Sequence, residues 1–348
     1  MRDNKMDEFI EMSKYAGMRE DLVQAGGGNS SFKMKKDVMF IKASGYQLAD
    51  ITEKKGYSII NPQIIADFFL GSDDLDKITD VDSRNILKKA FIDGERPSIE
   101  TFLHAISGRY TLHTHPVIVN ILACRKDGMT LLGELFPDAL IVPYATPGVA
   151  LAKMYFKVFR GKKVNNGIVF LQNHGLVVSG SDSAEVISRT EYITKKLEKY
   201  LHISLENYHN GTRLYQIVRN GIIWTVTDKN VLEAYHTKNG IWNTAISPDC
   251  VVYLGKAICE AGNDFDWHDL EKFCSLHGKP VVFAYRNSLY INAASVKKAL
   301  EIQSVLSFCA QVMLKNPGQE CNILTDEEQN YLSDWDAEKY RRNLAQGD

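Results

Sequence analysis

No two cysteines stand in a CxxC pair, no apolar run approaches the ~20 residues that a bilayer span needs, and lysine and arginine are nowhere massed. These absences exclude a zinc-ribbon or dithiol motif, a transmembrane helix and the basic footprint of a nucleic-acid binder. Formal net charge is -2, so neither nucleic acid nor a membrane surface is an expected partner. The opening MRDNKMDEFIEMSKY lacks the apolar core of a secretory signal, which predicts a cytoplasmic protein. Neither GxxxxGK[ST] nor GxGxxG can be read anywhere, so the familiar nucleotide-binding loops are missing too. The six cysteines, five of them in the C-terminal third among apolar neighbours, are expected to be reduced core thiols.

What is present is a chain of 348 residues, 45% hydrophobic and 24% charged, long enough to bury a full core. Short β-branched runs alternate with longer helical patterns, which predicts an α/β (α+β layered) fold. A helix over residues 6 to 18 leads to the Gly-rich turn Ala25-Gly26-Gly27-Gly28-Asn29-Ser30-Ser31 and a strand at Val38-Met39-Phe40-Ile41. Pro97-Ser98-Ile99-Glu100 reads as a helix start with Ser98 as cap, followed by a strand from Tyr110 to His115. Strands at 139–144, 168–171 and 176–178 follow, and a helix capped by Asp182 is expected to run to about Tyr208. After residue 212 the pattern repeats: Pro137-Asp138-Ala139-Leu140-Ile141-Val142 has a counterpart in Pro248-Asp249-Cys250-Val251-Val252-Tyr253, and Val169-Phe170 in Val282-Phe283. The chain therefore divides into residues 1–212 and a C-terminal α/β block, 213–348, that is either a decayed copy or an unrelated unit of similar pattern.

His113 and His115 end a strand at positions i and i+2, so both imidazoles lie on one face and can reach one ion. Alone, that spacing is common on surface strands. His174, in Gln172-Asn173-His174-Gly175 after a very apolar strand, supplies a third imidazole at a strand end, enough for an open divalent-metal site. Glu100 precedes this strand by one helix and could be a fourth ligand, a general base, or a first-turn acid that answers the helix dipole. His104 lies one turn on and is expected to be structural. The Gly-rich turn from Gly28 and Asn29 to Ser30 and Ser31 offers exposed backbone amides and small hydroxyls to an anion, and Ser44-Gly45 after Ile41-Lys42 is a second such donor pair, although each by itself is an ordinary turn.

Taken in order, GGGNSS, KASG, PSIE, LHTHP, PYATPG and QNHGLVVSG resemble the class II aldolase/adducin family over residues 8 to 208. The nearest flavour is the aldolase portion of bifunctional rhamnulose-phosphate aldolase/dehydrogenase proteins. The resemblance implies a central β-sheet flanked by helices, a zinc ion on His113, His115 and His174, and Glu100 as the acid/base residue. It also implies a substrate phosphate held by Asn29, Ser44, Gly45 and Ser98, and a homo-oligomer. The expected activity is cleavage or formation of a ketose 1-phosphate through a metal-stabilised enediolate. Epimerisation, dehydration or decarboxylation of a sugar-acid phosphate is the alternative, and a non-catalytic adducin-like scaffold stands in a different class. Three imidazoles with a carboxylate suit Zn2+, and also Mn2+, Fe2+ or Co2+. Ile99 stands where many members have a second Ser, and 126–140 supplies no Tyr acid, leaving Tyr144 as nearest candidate.

Overall fold

A computed structural model describes residues 4–160, 167–237, 245–255, 257–316 and 321–334. They fall into two compact units that divide between Ser204 and Leu205, earlier than the boundary at 212 expected from the pattern. The reason is local. The helix capped by Asp182 ends at Leu201, His202 turns into the left-handed region at φ 55°, and a fresh helix starts at Glu206.

The first unit begins with α1 (Asn4–Gly17), β1 (Asn29–Lys35), β2 (Val38–Lys42), β3 (Tyr57–Ile60), α2 (Pro62–Gly71), α3 (Asp80–Ala90) and β4 (Phe91–Gly94). It continues through α4 (Thr101–Ile106), β5 (Tyr110–Thr114), α5 (Val117–Ala123), α6 (Gly128–Leu135) and β6 (Leu140–Val142). It closes with α7 (Val149–Arg160), β7 (Ile168–Leu171), β8 (Gly175–Gly180) and α8 (Ser183–Leu201). Caps explain several starts: Asn61 accepts from the amide of Gln63 ahead of Pro62, Thr79 and Asp82 form a capping box, and Asp182 accepts from Glu185.

Its eight strands lie in the order β4-β3-β2-β1-β5-β8-β7-β6, antiparallel except where β6 pairs with β7. Alternation along β2 shows why both faces are covered. Phe40 stacks on Phe32, which meets Phe9 of α1, while Met39 and Ile41 join Ile65, Phe69, Phe102 and Phe156 of α2, α4 and α7. Burial of these side chains on two faces makes β1, β5 and β8 central strands whose ends are fixed in place, and the candidate site stands at those ends. No helix among the described residues is long and apolar enough to cross a membrane.

The second unit contains α9 (Glu206–Val218), β9 (Ile222–Thr225), α10 (Lys229–Thr237), β10 (Cys259–Ala261), α11 (Trp267–His277), β11 (Val282–Tyr285), β12 (Ser288–Ala293), α12 (Val296–Lys315) and α13 (Asp326–Asp334). Its sheet has the order β10-β11-β12-β9, with β10 parallel to β11 and the other pairs antiparallel. The same order and senses join β6-β7-β8-β5 in the first sheet. A capped long helix follows each hairpin, Ser295 accepting from Lys298 where Asp182 accepts from Glu185. One part of the sequence alignment fails. Cys250–Leu254, set against the strand at Leu140–Val142, is a π-helical turn, and the strand comes later at Cys259–Ala261. A short apolar run fits a buried helical turn as well as a strand, so periodicity alone could not separate them.

Candidate functional site

β5 delivers His113 to the centre of the first sheet, fully buried, opposite Asn29 of β1 and Val177 of β8. His115 follows past the strand end. Its amide donates to Leu22 O at 2.9 Å, and the amide of Val117 donates to Asp21 O at 2.8 Å. The segment providing those carbonyls is itself clamped: Arg19 donates from Nε and Nη2 to the Asp21 carboxylate at 3.0 and 2.6 Å, and from Nη1 to Glu191, which also accepts from Tyr15 at 2.7 Å.

His174 sits in the turn between β7 and β8 after Asn173, whose φ is 53°. Asn120 of α5 donates to the His174 carbonyl at 3.1 Å, and Gln172 accepts from the amide of Tyr144 at 3.0 Å. Glycine is required beside this turn, because a Cβ on Gly175 would lie 2.2 Å from Thr114 O. Gly28, at φ 73°, is equally constrained, since a Cβ there would meet His113 O at 2.8 Å.

The three imidazoles converge. His113 Nε2 lies 3.2 Å from both His174 Nε2 and His115 Nε2, and Glu100 places Oε1 3.2 Å from His174 Nε2 and Oε2 3.6 Å from His113 Nε2. One ligand atom from each of the four residues lies within 4.8 Å of all the others. The Nδ1 of His113 is 3.0 Å from Leu176 O, and a carbonyl can only accept, so Nδ1 carries the proton and Nε2 faces its neighbours as a bare lone pair. A ligating histidine is commonly oriented in this way. Two nitrogens bonded to one tetrahedral zinc stand about 3.3 Å apart, from bonds of about 2.05 Å. The observed spacing fits that donor set better than it fits mutual hydrogen bonding.

The electrostatics agree. Burial lowers His113, and it lowers His115 to about 3 with help from the neighbouring rings, so both stay neutral. Burial alone would raise the Glu100 carboxyl, whereas positive charge among His113, then His174 and His115, holds it below the ordinary carboxylate range; with the rings neutral, that is the charge a cation would supply. Asn29 adds a hydrogen bond from Nδ2 to Glu100 Oε2 at 2.5 Å. Three lone pairs and one carboxylate are a donor set that could hold a divalent cation. The Oδ1 of Asn29 and Nδ1 of His174 are buried without a hydrogen-bond partner among the described residues.

The remaining expected residues are distributed differently. Glu100 occupies the position before Thr101, so α4 starts later than expected, and Ser98 Oγ accepts from the amide of Glu100 at 3.3 Å. Ser44 and Ser98 line one cleft of about 770 Å3, together with Arg84, Lys88, Arg96 and Phe102. The amide of Ser44 is committed to Arg96 O at 2.8 Å, and Gly45 follows it at φ 87°. Ser30 and Ser31, expected as exposed hydroxyls, are buried strand residues bound to Ser13 and His104 at 2.7 Å, and they contribute nothing to an anion cradle. Tyr144, the nearest candidate for a tyrosine acid, is exposed. His104 is fully buried against Ser31, structural as expected.

Sequence reasoning missed Asn120 and Lys42. Lys42 is buried, its Nζ 3.4 Å from the carbonyls of Gly26 and Ala43, and burial brings it down to about 8, partly countered by Glu100. A lysine at the end of an apolar strand ordinarily reads as one that extends to solvent. The only signal for Lys42 was its place beside Ala43-Ser44-Gly45.

The chain belongs to the class II aldolase and adducin family: the model of the Class II Aldolase and Adducin N-terminal domain matches residues 7–201. A curated relative, the uncharacterized oxidoreductase YuxG of Bacillus subtilis (strain 168), is 27% identical over 231 residues, 61% of this chain and 32% of its own length. The match thus spans about a third of that relative. Among solved structures, the N-terminal class II aldolase domain of a conserved protein from Thermoplasma acidophilum is 28% identical at a TM-score of 0.51, covering 58% of this chain and 95% of its own. An L-fuculose 1-phosphate aldolase is 18% identical at a TM-score of 0.40, covering 62% and 98%. Class II aldolases use a divalent metal, and the four-residue cluster is where this chain could hold one.

Proposed function

We propose that the first unit is a metal-dependent lyase of the aldolase type, cleaving or forming a ketose 1-phosphate, with Glu100 as its acid/base group. The observation that carries the reading is the Glu100 carboxylate, kept ionised and pinned by Asn29 at 2.5 Å within reach of two imidazole lone pairs. His113, His115 and His174 would hold the cation, zinc being the best match to three imidazoles with manganese, iron or cobalt as alternatives. Such an ion, when bound, draws electron density from adjacent carbonyl and hydroxyl oxygens and so offsets the charge that develops as the C–C bond breaks.

The protein's own groups do the rest. Glu100, as a carboxylate, accepts a proton at Oε and returns it to the carbon left by cleavage, giving dihydroxyacetone phosphate and an aldehyde. Asn29 Nδ2 keeps that carboxylate aimed. Lys42, with only two long carbonyl contacts, and the cleft bearing Ser44 and Ser98, with Gly45 next to Ser44, supply the cationic and hydroxyl groups to hold a phosphate.

A second reading has support of its own. Arg84, Lys88 and Arg96 around the cleft, against Asp80 as its one acid, provide more positive charge than one phosphate needs. This favours a sugar-acid phosphate, epimerised, dehydrated or decarboxylated by the same carboxylate. Incubating the protein with a panel of ketose 1-phosphates and sugar-acid phosphates, before and after chelation, tests both. Release of dihydroxyacetone phosphate that chelation abolishes supports the lyase. Turnover of a sugar acid alone favours the second reading, and binding of less than a small fraction of an equivalent of zinc or manganese, with no turnover, favours a scaffold.

A further inference from the structure

Within the second unit two buried thiols face each other. Cys250, on the π-helical turn, has its Sγ 2.9 Å from the Sγ of Cys309 in the middle of α12, and the two residues are 4% and 2% exposed. The hydroxyl of Ser247 stands 3.3 Å from the Cys250 sulfur. The turn is anchored by the amide of Cys250 on Ser247 O at 3.1 Å.

We propose that Cys250 and Cys309 are a reversible redox pair, closed to a disulfide by a small hydroperoxide. The gap to a covalent bond of about 2.05 Å is under an ångström, so a change of side-chain torsion within the packed turn closes it. A hydrogen bond joins the two sulfurs. It is the largest influence drawing Cys250 down and pushing Cys309 up, and the Ser247 hydroxyl beside the Cys250 sulfur adds to its lowering. With that hydroxyl beside it, Cys250 is the attacking thiolate and Cys309 the resolving thiol.

The chemistry balances. Cys250 sulfur attacks the peroxide oxygen, the O–O bond breaks, hydroxide leaves and takes up a proton, and Cys250 becomes a sulfenic acid. Cys309 then loses its proton and attacks that sulfur, the S–O bond breaks, and the hydroxide and proton leave as water. Two thiols are oxidised by two electrons, and one hydrogen peroxide is reduced to two waters. Peroxide rather than a bulky disulfide is the fitting oxidant, because both sulfurs are nearly enclosed.

Cys259 is the internal control. It is also 2% exposed, yet burial pushes its thiol up to about 12. The full chain, reduced and then freed of reductant, is exposed to a few equivalents of hydrogen peroxide, unfolded, alkylated, digested and analysed by mass spectrometry. The expected product is a Cys250–Cys309 linked peptide, reversed by dithiothreitol and formed at least about tenfold faster than any oxidation of Cys259. In Cys309→Ser the link is lost and dimedone labels Cys250 as a sulfenic acid. Recovery of both thiols in the free form, or dimedone labelling of Cys250 in the unaltered protein without the link, overturns the proposal.

Discussion

Asn29 and Glu100, 71 residues apart, are joined by a hydrogen bond of 2.5 Å that runs from the first residue of β1 to the residue preceding α4. A donor on a carboxylate contributes about 1.5–3 kcal/mol. Asn29→Ala should therefore lower kcat/KM by roughly 10- to 100-fold, with metal content unchanged. Asn29→Asp, which sets a second carboxylate beside Glu100, should be worse than Ala. Steady-state kinetics with metal analysis check this, and an Asp variant as active as the parent would show that the contact does not orient Glu100.

Glu100→Gln should keep its metal, because the three imidazoles remain, and lose turnover by about 10²- to 10⁴-fold, the usual range for an acid/base group. Near-normal rates would remove Glu100 from the chemistry.

Removal of metal should lower stability as well as activity. A ligand that binds only the folded state at a hundredfold excess over Kd adds about 2.7 kcal/mol, so chelation should lower Tm by several degrees and zinc or manganese should restore it. In His174→Ala the response to chelator should vanish. A shift that persists in that variant would place the ion elsewhere.

The Arg19 clamp should matter beyond its distance from the centre. Arg19→Met leaves Asp21 buried with its partner lost, which costs about 3–5 kcal/mol in such pairs, and it frees the segment whose carbonyls hold the amides of His115 and Val117. Urea unfolding should show the loss of stability. The absorption bands of a cobalt-loaded sample should shift if His115 moves with the segment. An unshifted spectrum would make the clamp purely structural.

His104 predicts a pH signature. An unfolded imidazole titrates near 6.5, whereas burial, aided by His113, holds His104 at about 3 in the fold. The unfolded chain therefore binds the proton first. The stability His104 lends is complete above about pH 6.5 and drains away as pH falls toward 3, at a slope of up to about 1.4 kcal/mol per unit. Urea unfolding at several pH values should give a flatter profile for His104→Gln, and parallel profiles would refute the assignment.

The convergence of three imidazoles was legible because strand geometry is periodic: the spacing of His113 and His115 encodes a shared face, and a histidine before glycine encodes a side chain that emerges at a strand end. Asp182 was legible as a cap for a similar reason. What failed was information held in three dimensions. His202 breaks a helix by adopting a left-handed conformation that no glycine announces. Ser30 and Ser31 looked available for an anion until the register of β1 against β2 and β5 turned their hydroxyls to Ser13 and His104. The run Cys250–Leu254 carries no periodicity long enough to choose between a strand and a helical turn. Lys42 stands out by its burial and Asn120 by its hydrogen bond to the His174 carbonyl, neither of which a single sequence displays.

The four strands common to the two sheets stop short of β1. In the first unit that neighbour of β5 brings Asn29 alongside His113, whereas β9 is the last strand of its sheet among the described residues. Grafting three histidines onto β9 and the β11–β12 turn would thus build a set of imidazole donors with no adjoining strand to bring an amide beside them.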